Sequence, residues 1–162
     1  MKKLLDAYYR LLQILLTLLM AILIVPVAMQ ILSRYTGLIP RYIWTEEIAR
    51  FCFIWIIMLG AMIAVRDGTH FDVDVLPQFK SPKTEVVIRI FVHIAMLLVA
   101  LIFVWYGYVF AEFGSVQTSE IAGLPMLAIF IAWPLAGVTW LVFLGEKLIK
   151  DFKLLRADKV SV

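Results

Sequence analysis

The stretch Leu11–Ser33, LLQILLTLLMAILIVPVAMQILS, decides the fold: 23 residues pass without one Asp, Glu, Lys or Arg. As a helix rising about 1.5 Å per residue it reaches about 34 Å, enough to cross a hydrocarbon core of about 30 Å. Three further windows lack the same four residue types: Phe51–Val65, Ile90–Ala111 and Ile121–Gly145. Together the four windows hold 85 of the 162 residues, and every charge lies in the remainder. Soluble domains are about 45 to 50% apolar, whereas this chain is 64% hydrophobic with a mean hydropathy of +0.97. The chain is therefore read as an all-α integral membrane protein with four transmembrane helices. The connections are too short for a soluble catalytic domain of about 50 residues or more.

Lys2 and Lys3 before an apolar run resemble a signal peptide. The run is too long for such a peptide and no small-residue cleavage site follows, so a retained helix is expected, bent but not broken at Pro26. The second window reaches membrane length once its flank is included. Thr45 suits an N-cap, with Glu46 and Glu47 in the first turn, where the helix dipole favours anions. Arg50 then lies at i+4 from Glu46 and i+3 from Glu47, within ion-pair reach. Upstream, Tyr35, Ile39, Tyr42 and Trp44 describe an interfacial segment before the second span.

The third span carries His93 and the aromatics Trp105, Tyr106 and Tyr108. The fourth carries Pro125 at its start and Pro134 in its middle, where a kink is expected. Beyond Gly145, Leu148, Phe152 and Leu155 share one face among Lys147, Lys150, Lys153 and Arg156, which reads as a basic C-terminal helical extension on an anionic leaflet. Residues 1–162 thus form a single four-helix domain, with spans at about 11–33, 46–66, 86–111 and 122–146.

Placing both termini in the cytoplasm puts twelve Lys and Arg inside and three outside. The positive-inside rule selects this orientation. The net charge of +3 is explained by it, and no nucleic-acid partner is expected. Cys52 is the sole cysteine, which excludes an internal disulfide and thiol redox chemistry.

A transporter acting alone places ionisable groups near mid-membrane. Here only His93 lies within a window, toward its cytoplasmic end, and a helix–helix hydrogen bond is its ordinary role. Haem would need facing axial ligands, and the second histidine, His70, is in a loop. His70, Asp72 and Asp74 alternate on one face of an extended segment, where a solvated polar face is favoured over a metal site. No enzyme motif appears, and no cofactor or metal is expected. What remains is a rim constellation of Arg34, Glu46, Glu47 and Arg50, read either as snorkelling with local ion pairing or as a docking surface.

The run Trp44-Thr45-Glu46-Glu47-Ile48-Ala49-Arg50-Phe51, followed by Trp55, Gly60-Ala61, Ala64, Arg66 and His70, resembles the signature of the small membrane subunit of TRAP transporters, the tripartite ATP-independent periplasmic transporters. Gln30, Ser33-Arg34-Tyr35, Leu124-Pro125 and Trp133-Pro134-Leu135-Ala136-Gly137 extend the likeness over nearly the whole chain. The resemblance implies a subunit of a sodium-driven importer of organic acids such as C4-dicarboxylates or sialic acid, in a bacterial inner membrane. A periplasmic binding protein would deliver the substrate, and a large membrane subunit would carry the substrate and sodium sites and move like an elevator. This chain would pack beside that subunit as a scaffold, among membrane lipids, with no substrate site of its own.

Carried onto this sequence, Arg34, Trp44, Glu46, Glu47 and Arg50 form a structural or docking rim, and Arg66 and His70 lie in the following loop. Trp55, Gly60 and Ala64 share nearly one helix face, and the small pair permits close helix approach, most simply inside the subunit. Arg50→Ala would cost about 3 to 5 kcal/mol if the rim carboxylates are dry, and much less if the site is wet. A free-standing small transporter or a membrane anchor for a redox complex are the rival classes, and both lack their expected residues.

Overall fold

In hydrocarbon every backbone N–H and C=O must be satisfied within the chain, so apolar windows of this length become helices. The structure, a computed structural model, describes residues 2–36, 40, 42–68, 82–120 and 123–157. It contains α1 (Lys2–Thr36), α2 (Ile43–Asp67), α3 (Pro82–Ser115), the short α4 (Leu127–Phe130) and α5 (Ala132–Ala157). The membrane-crossing stretches are Lys3–Thr36, Ile43–Asp67, Ile90–Ser115 and Leu127–Asp151. Each overlaps one charge-free window and runs beyond it. Flanking charged residues continue the helix into the headgroup layer, where long side chains reach water. His70, Asp72 and Asp74 lie outside the described residues, as does any interfacial structure at 37–39.

Three expected details are corrected. The residue capping α2 is Tyr42, in extended conformation and without a side-chain cap bond. Thr45 lies inside the first turn, where its Oγ1 donates to the Tyr42 carbonyl at 2.7 Å. Trp44 is therefore helical rather than in a preceding segment, while Glu46 and Glu47 are helical as expected. The fourth span begins at Leu127, and Pro134 sits in the first turn of α5 rather than at mid-span. Proline has no N–H for the carbonyl four residues back and clashes with it. That carbonyl belongs to Phe130, where α4 ends, so the expected kink takes the form of an interruption at Ile131. By contrast, α1 continues through Pro26.

At the other end of α2, Gly68 takes φ +82° and donates to the Ala64 carbonyl at 3.0 Å. Only glycine adopts that left-handed cap without strain.

Among the described residues α1 packs along α2, α2 against α5, and α5 along α3 with α4. The helices thus stand in a row, α1–α2–α5–α3, rather than in a closed bundle. Burial agrees: 44% of the span containing α5 is buried, against 11% for α1 and 17% for α3 at the two edges.

Lipid tails are as apolar as leucine, so this row is held by close packing and interhelix polar contacts more than by the hydrophobic effect. A Cβ added at Gly107 of α3 would lie 2.6 Å from the Pro134 nitrogen, and one at Gly137 of α5 would lie 2.8 Å from Val104. With the fully buried Ala100, Ala132 and Ala136, these positions let the α3 and α5 backbones touch. Phe103 packs beside them against Trp140 in a tilted arrangement, with ring centroids 4.8 Å apart. Close approach is made here and not at Gly60, where an added Cβ would meet nothing within 4 Å.

Candidate functional site

Ionisable groups of the described spans gather at two rims. At the end carrying the N-terminus of α1, Arg66 in the last turn of α2 is the hub. Its guanidinium reaches Asp6 of α1 through Nη2 and Glu146 of α5 at 3.2 Å through Nη1. It also lies 5.6 Å from the ring centre of Tyr9 and 5.0 Å from that of Phe143, within cation–π range. The planar fork suits this geometry, because two carboxylates on different helices are met by separate N–H groups.

Around the hub, Tyr9 donates to Asp67 at 2.6 Å and Lys150 pairs with Glu146 at 2.8 Å. Lys147 donates to the Val65 carbonyl at 2.7 Å, satisfying one of the acceptors left open at the end of α2. One turn along α5, Asp151 accepts from His93 Nδ1 of α3 at 2.8 Å, both side chains nearly buried. Deeper, Thr139 donates to the Leu135 carbonyl and so accepts from Tyr8 at 2.8 Å. Polar contacts thus join every neighbouring pair of long helices in the row at this rim.

The opposite rim holds the residues singled out in the sequence. Glu46 and Arg50 pair at 3.9 Å with side chains 73% and 65% exposed, which selects the wet of the two cases expected for Arg50. An exposed pair of this kind contributes about 0 to 1 kcal/mol. Glu47 and Thr45 are buried, and Trp44 packs on Tyr42 with ring centroids 6.0 Å apart. Arg34 comes from α1 to share with Glu46 the wall of a cleft of about 660 Å³ between α1 and α2. Gln30 and Ser33 line the same cleft, and Gln30 Nε2 and Ser33 Oγ, both buried, carry no hydrogen bond among the described residues.

The remaining expected positions divide. Trp55 Nε1 donates to the Ala128 carbonyl at 2.8 Å, an acceptor whose helical donor would be Ala132, beyond the break at Ile131. Ala64 serves the Gly68 cap through its carbonyl. Arg66 is helical and central, not a loop residue, and His70 lies outside the described residues. Asp6, Tyr9, Glu146 and Asp151 were not singled out in the sequence, and Lys147 was read only as part of the basic tail. The signal was available: carboxylates sit beside spans at a rim that is otherwise strongly basic.

The comparisons with known proteins agree with this architecture. The DctQ component family of the tripartite ATP-independent periplasmic transporters matches residues 23–154. A protein of Haemophilus influenzae named as a TRAP transporter small permease protein is 27% identical over 138 residues, 85% of either chain. The sialic acid TRAP transporter permease protein SiaT of another Haemophilus influenzae strain is 30% identical over 109 residues, which are 67% of this chain but 18% of that longer protein. The isethionate TRAP transporter permease protein DctMQ of Oleidesulfovibrio alaskensis is 27% identical over 117 residues, 68% of this chain and 18% of its own. A match that runs from the middle of α1 into the tail of α5, through all four spans, places this multi-pass membrane chain in the DctQ component family of TRAP transporters.

Proposed function

We propose that the chain is the small membrane subunit of a sodium-driven, binding-protein-dependent importer of organic acids, and that it acts as a fixed scaffold for a large transport subunit. One observation carries this reading. The row of helices keeps its described ionisable groups at two rims and leaves broad apolar faces between them, as on α3 at Leu98, Ile102, Trp105 and Val109. A substrate path needs polar groups at depth, whereas a scaffold needs a rigid, apolar flank. In SiaT and DctMQ the region similar to this chain is a minor part of a longer permease. The substrate and sodium sites are accordingly assigned to a separate large subunit, with a periplasmic binding protein as the donor.

Sialic acid is the first cargo to test, since SiaT is named for it, and isethionate the second, after DctMQ. The location proposed is the bacterial inner membrane, with both termini in the cytoplasm. The membrane-anchor reading for a redox complex is set aside, because the matched family is one of transporters.

The test is sodium-dependent uptake into proteoliposomes holding the large subunit, with binding protein added, with and without this chain. Uptake should vanish on omission and be absent with this chain alone. Uptake by this chain alone, or unchanged uptake in its absence, would overturn the scaffold reading.

A further inference from the structure

The cleft between the outer ends of α1 and α2 holds donors that nothing among the described residues uses. Gln30, Ser33 and Arg34 are spaced i, i+3 and i+4, so they share one face of α1. The buried Gln30 Nε2 and Ser33 Oγ have no hydrogen-bond partner among the described residues. Arg34 lines the same cleft and makes no ion pair among the described residues. Buried donors left unpaired beside a bilayer are costly, so the fold anticipates an acceptor from outside the chain. A turn of the Gln30 and Ser33 side chains would bring both donors to the cleft beside the Arg34 guanidinium, a set that fits the oxygens of a phosphate.

Depth identifies which phosphate. From Arg10 to Gln30 is 20 residues, about 30 Å of helix and the thickness of the hydrocarbon core. Arg34, a turn further on, stands about 6 Å beyond Gln30, within the headgroup layer. Across the cleft stands Glu46, its carboxylate largely exposed and held only loosely by Arg50 at 3.9 Å. A carboxylate beside a phosphate site rejects a purely anionic head group and accepts one ending in an ammonium.

We propose that this cleft binds the head group of an outer-leaflet aminophospholipid, with phosphate on Gln30, Ser33 and Arg34 and ammonium on Glu46. The leaflet follows from the orientation proposed above, but the binding does not depend on it. The uptake experiment tests that function separately.

The test uses the complex with the large subunit, purified in detergent and stripped of lipid. Short-chain phosphatidylethanolamine, short-chain phosphatidylglycerol and inorganic phosphate are titrated separately, and bound lipid is counted by native mass spectrometry. The wild-type complex should retain phosphatidylethanolamine and gain thermal stability from it, but not from inorganic phosphate. Arg34→Ala and Gln30→Leu should weaken retention about tenfold, the loss of roughly one charge-assisted hydrogen bond. Arg10→Ala, at the other rim, should leave it unchanged, and Glu46→Gln should erase the preference over phosphatidylglycerol.

Equal wild-type binding of phosphatidylglycerol, or equal stabilisation by inorganic phosphate, would overturn the proposal. So would undiminished retention in Arg34→Ala, or a cleft filled by an acidic side chain of the partner. The wild-type titrations decide the matter even if a variant fails to fold.

Discussion

Arg66 shows how much one residue can organise in a membrane protein. Its guanidinium holds carboxylates of α1 and α5 while resting on two aromatic rings, with the side chain only 18% exposed. Removing it leaves Glu146 at a half-buried position without its interhelix partner, and we expect Arg66→Ala to destabilise the complex by about 2 to 3 kcal/mol. Lysine offers a point charge that cannot serve both carboxylates in fork geometry, so Arg66→Lys should recover less than half of the loss. Asp6→Ala, at a side chain 59% exposed, should cost under about 1 kcal/mol. Thermal unfolding of the detergent-solubilised complex ranks the three, and an Arg66→Ala midpoint equal to wild type would deny the hub its role.

None of this pairing was legible in the sequence. Asp6 and Arg66 are 60 positions apart, and Arg66 and Glu146 are 80 apart. Which helices stand side by side, and at what register, is set by packing that no local pattern reveals. His93 is the exception: a lone imidazole in an apolar helix has few uses, and the expected helix–helix hydrogen bond is the one it makes with Asp151.

Among the elements, the four helices were readable because hydrocarbon leaves a backbone no alternative. Their ends were less so. Polar flanks continue a helix as readily as they end one, and the break near Pro134 falls three residues upstream of the proline that causes it. Small residues misled for a related reason. A glycine followed four residues later by an alanine occurs on α2, yet the backbones meet at Gly107 and Gly137, because contact needs a small residue on both partners at one height.

The contrast gives a prediction. Gly107→Ala should push α3 from α5 at a cost of about 1 to 3 kcal/mol, whereas Gly60→Ala should leave the chain's own stability unchanged or slightly raised. Proteolytic resistance of the purified chain distinguishes them. If Gly60→Ala instead weakens co-purification of the large subunit while the chain stays intact, the open side of Gly60 belongs to that partner.

For the whole molecule, orientation is the property on which the two rims depend. Cys52 is the sole cysteine and is buried, so Cys52→Ala provides a background for single-cysteine labelling. In intact cells with a permeabilised outer membrane, a membrane-impermeant maleimide should label Tyr42→Cys and spare Lys3→Cys. The reverse pattern would invert the molecule and exchange the leaflets assigned to its two rims.

The row of helices also sets the order in which the chain can be built. α5, made after the other three long helices, occupies a central place, and among the described residues α3 packs chiefly on α4 and α5 rather than on the helices made before it. During synthesis α1 and α2 can close as a hairpin, with Arg66 already on Asp6 and Tyr9 on Asp67. α3 must then wait in the bilayer as an orphan until α5 slides into the gap and brings Asp151 to His93. Assembly is therefore completed only when α5 enters, and a nascent chain halted before α5 would consist of a hairpin and a stray helix, a fit substrate for membrane quality control.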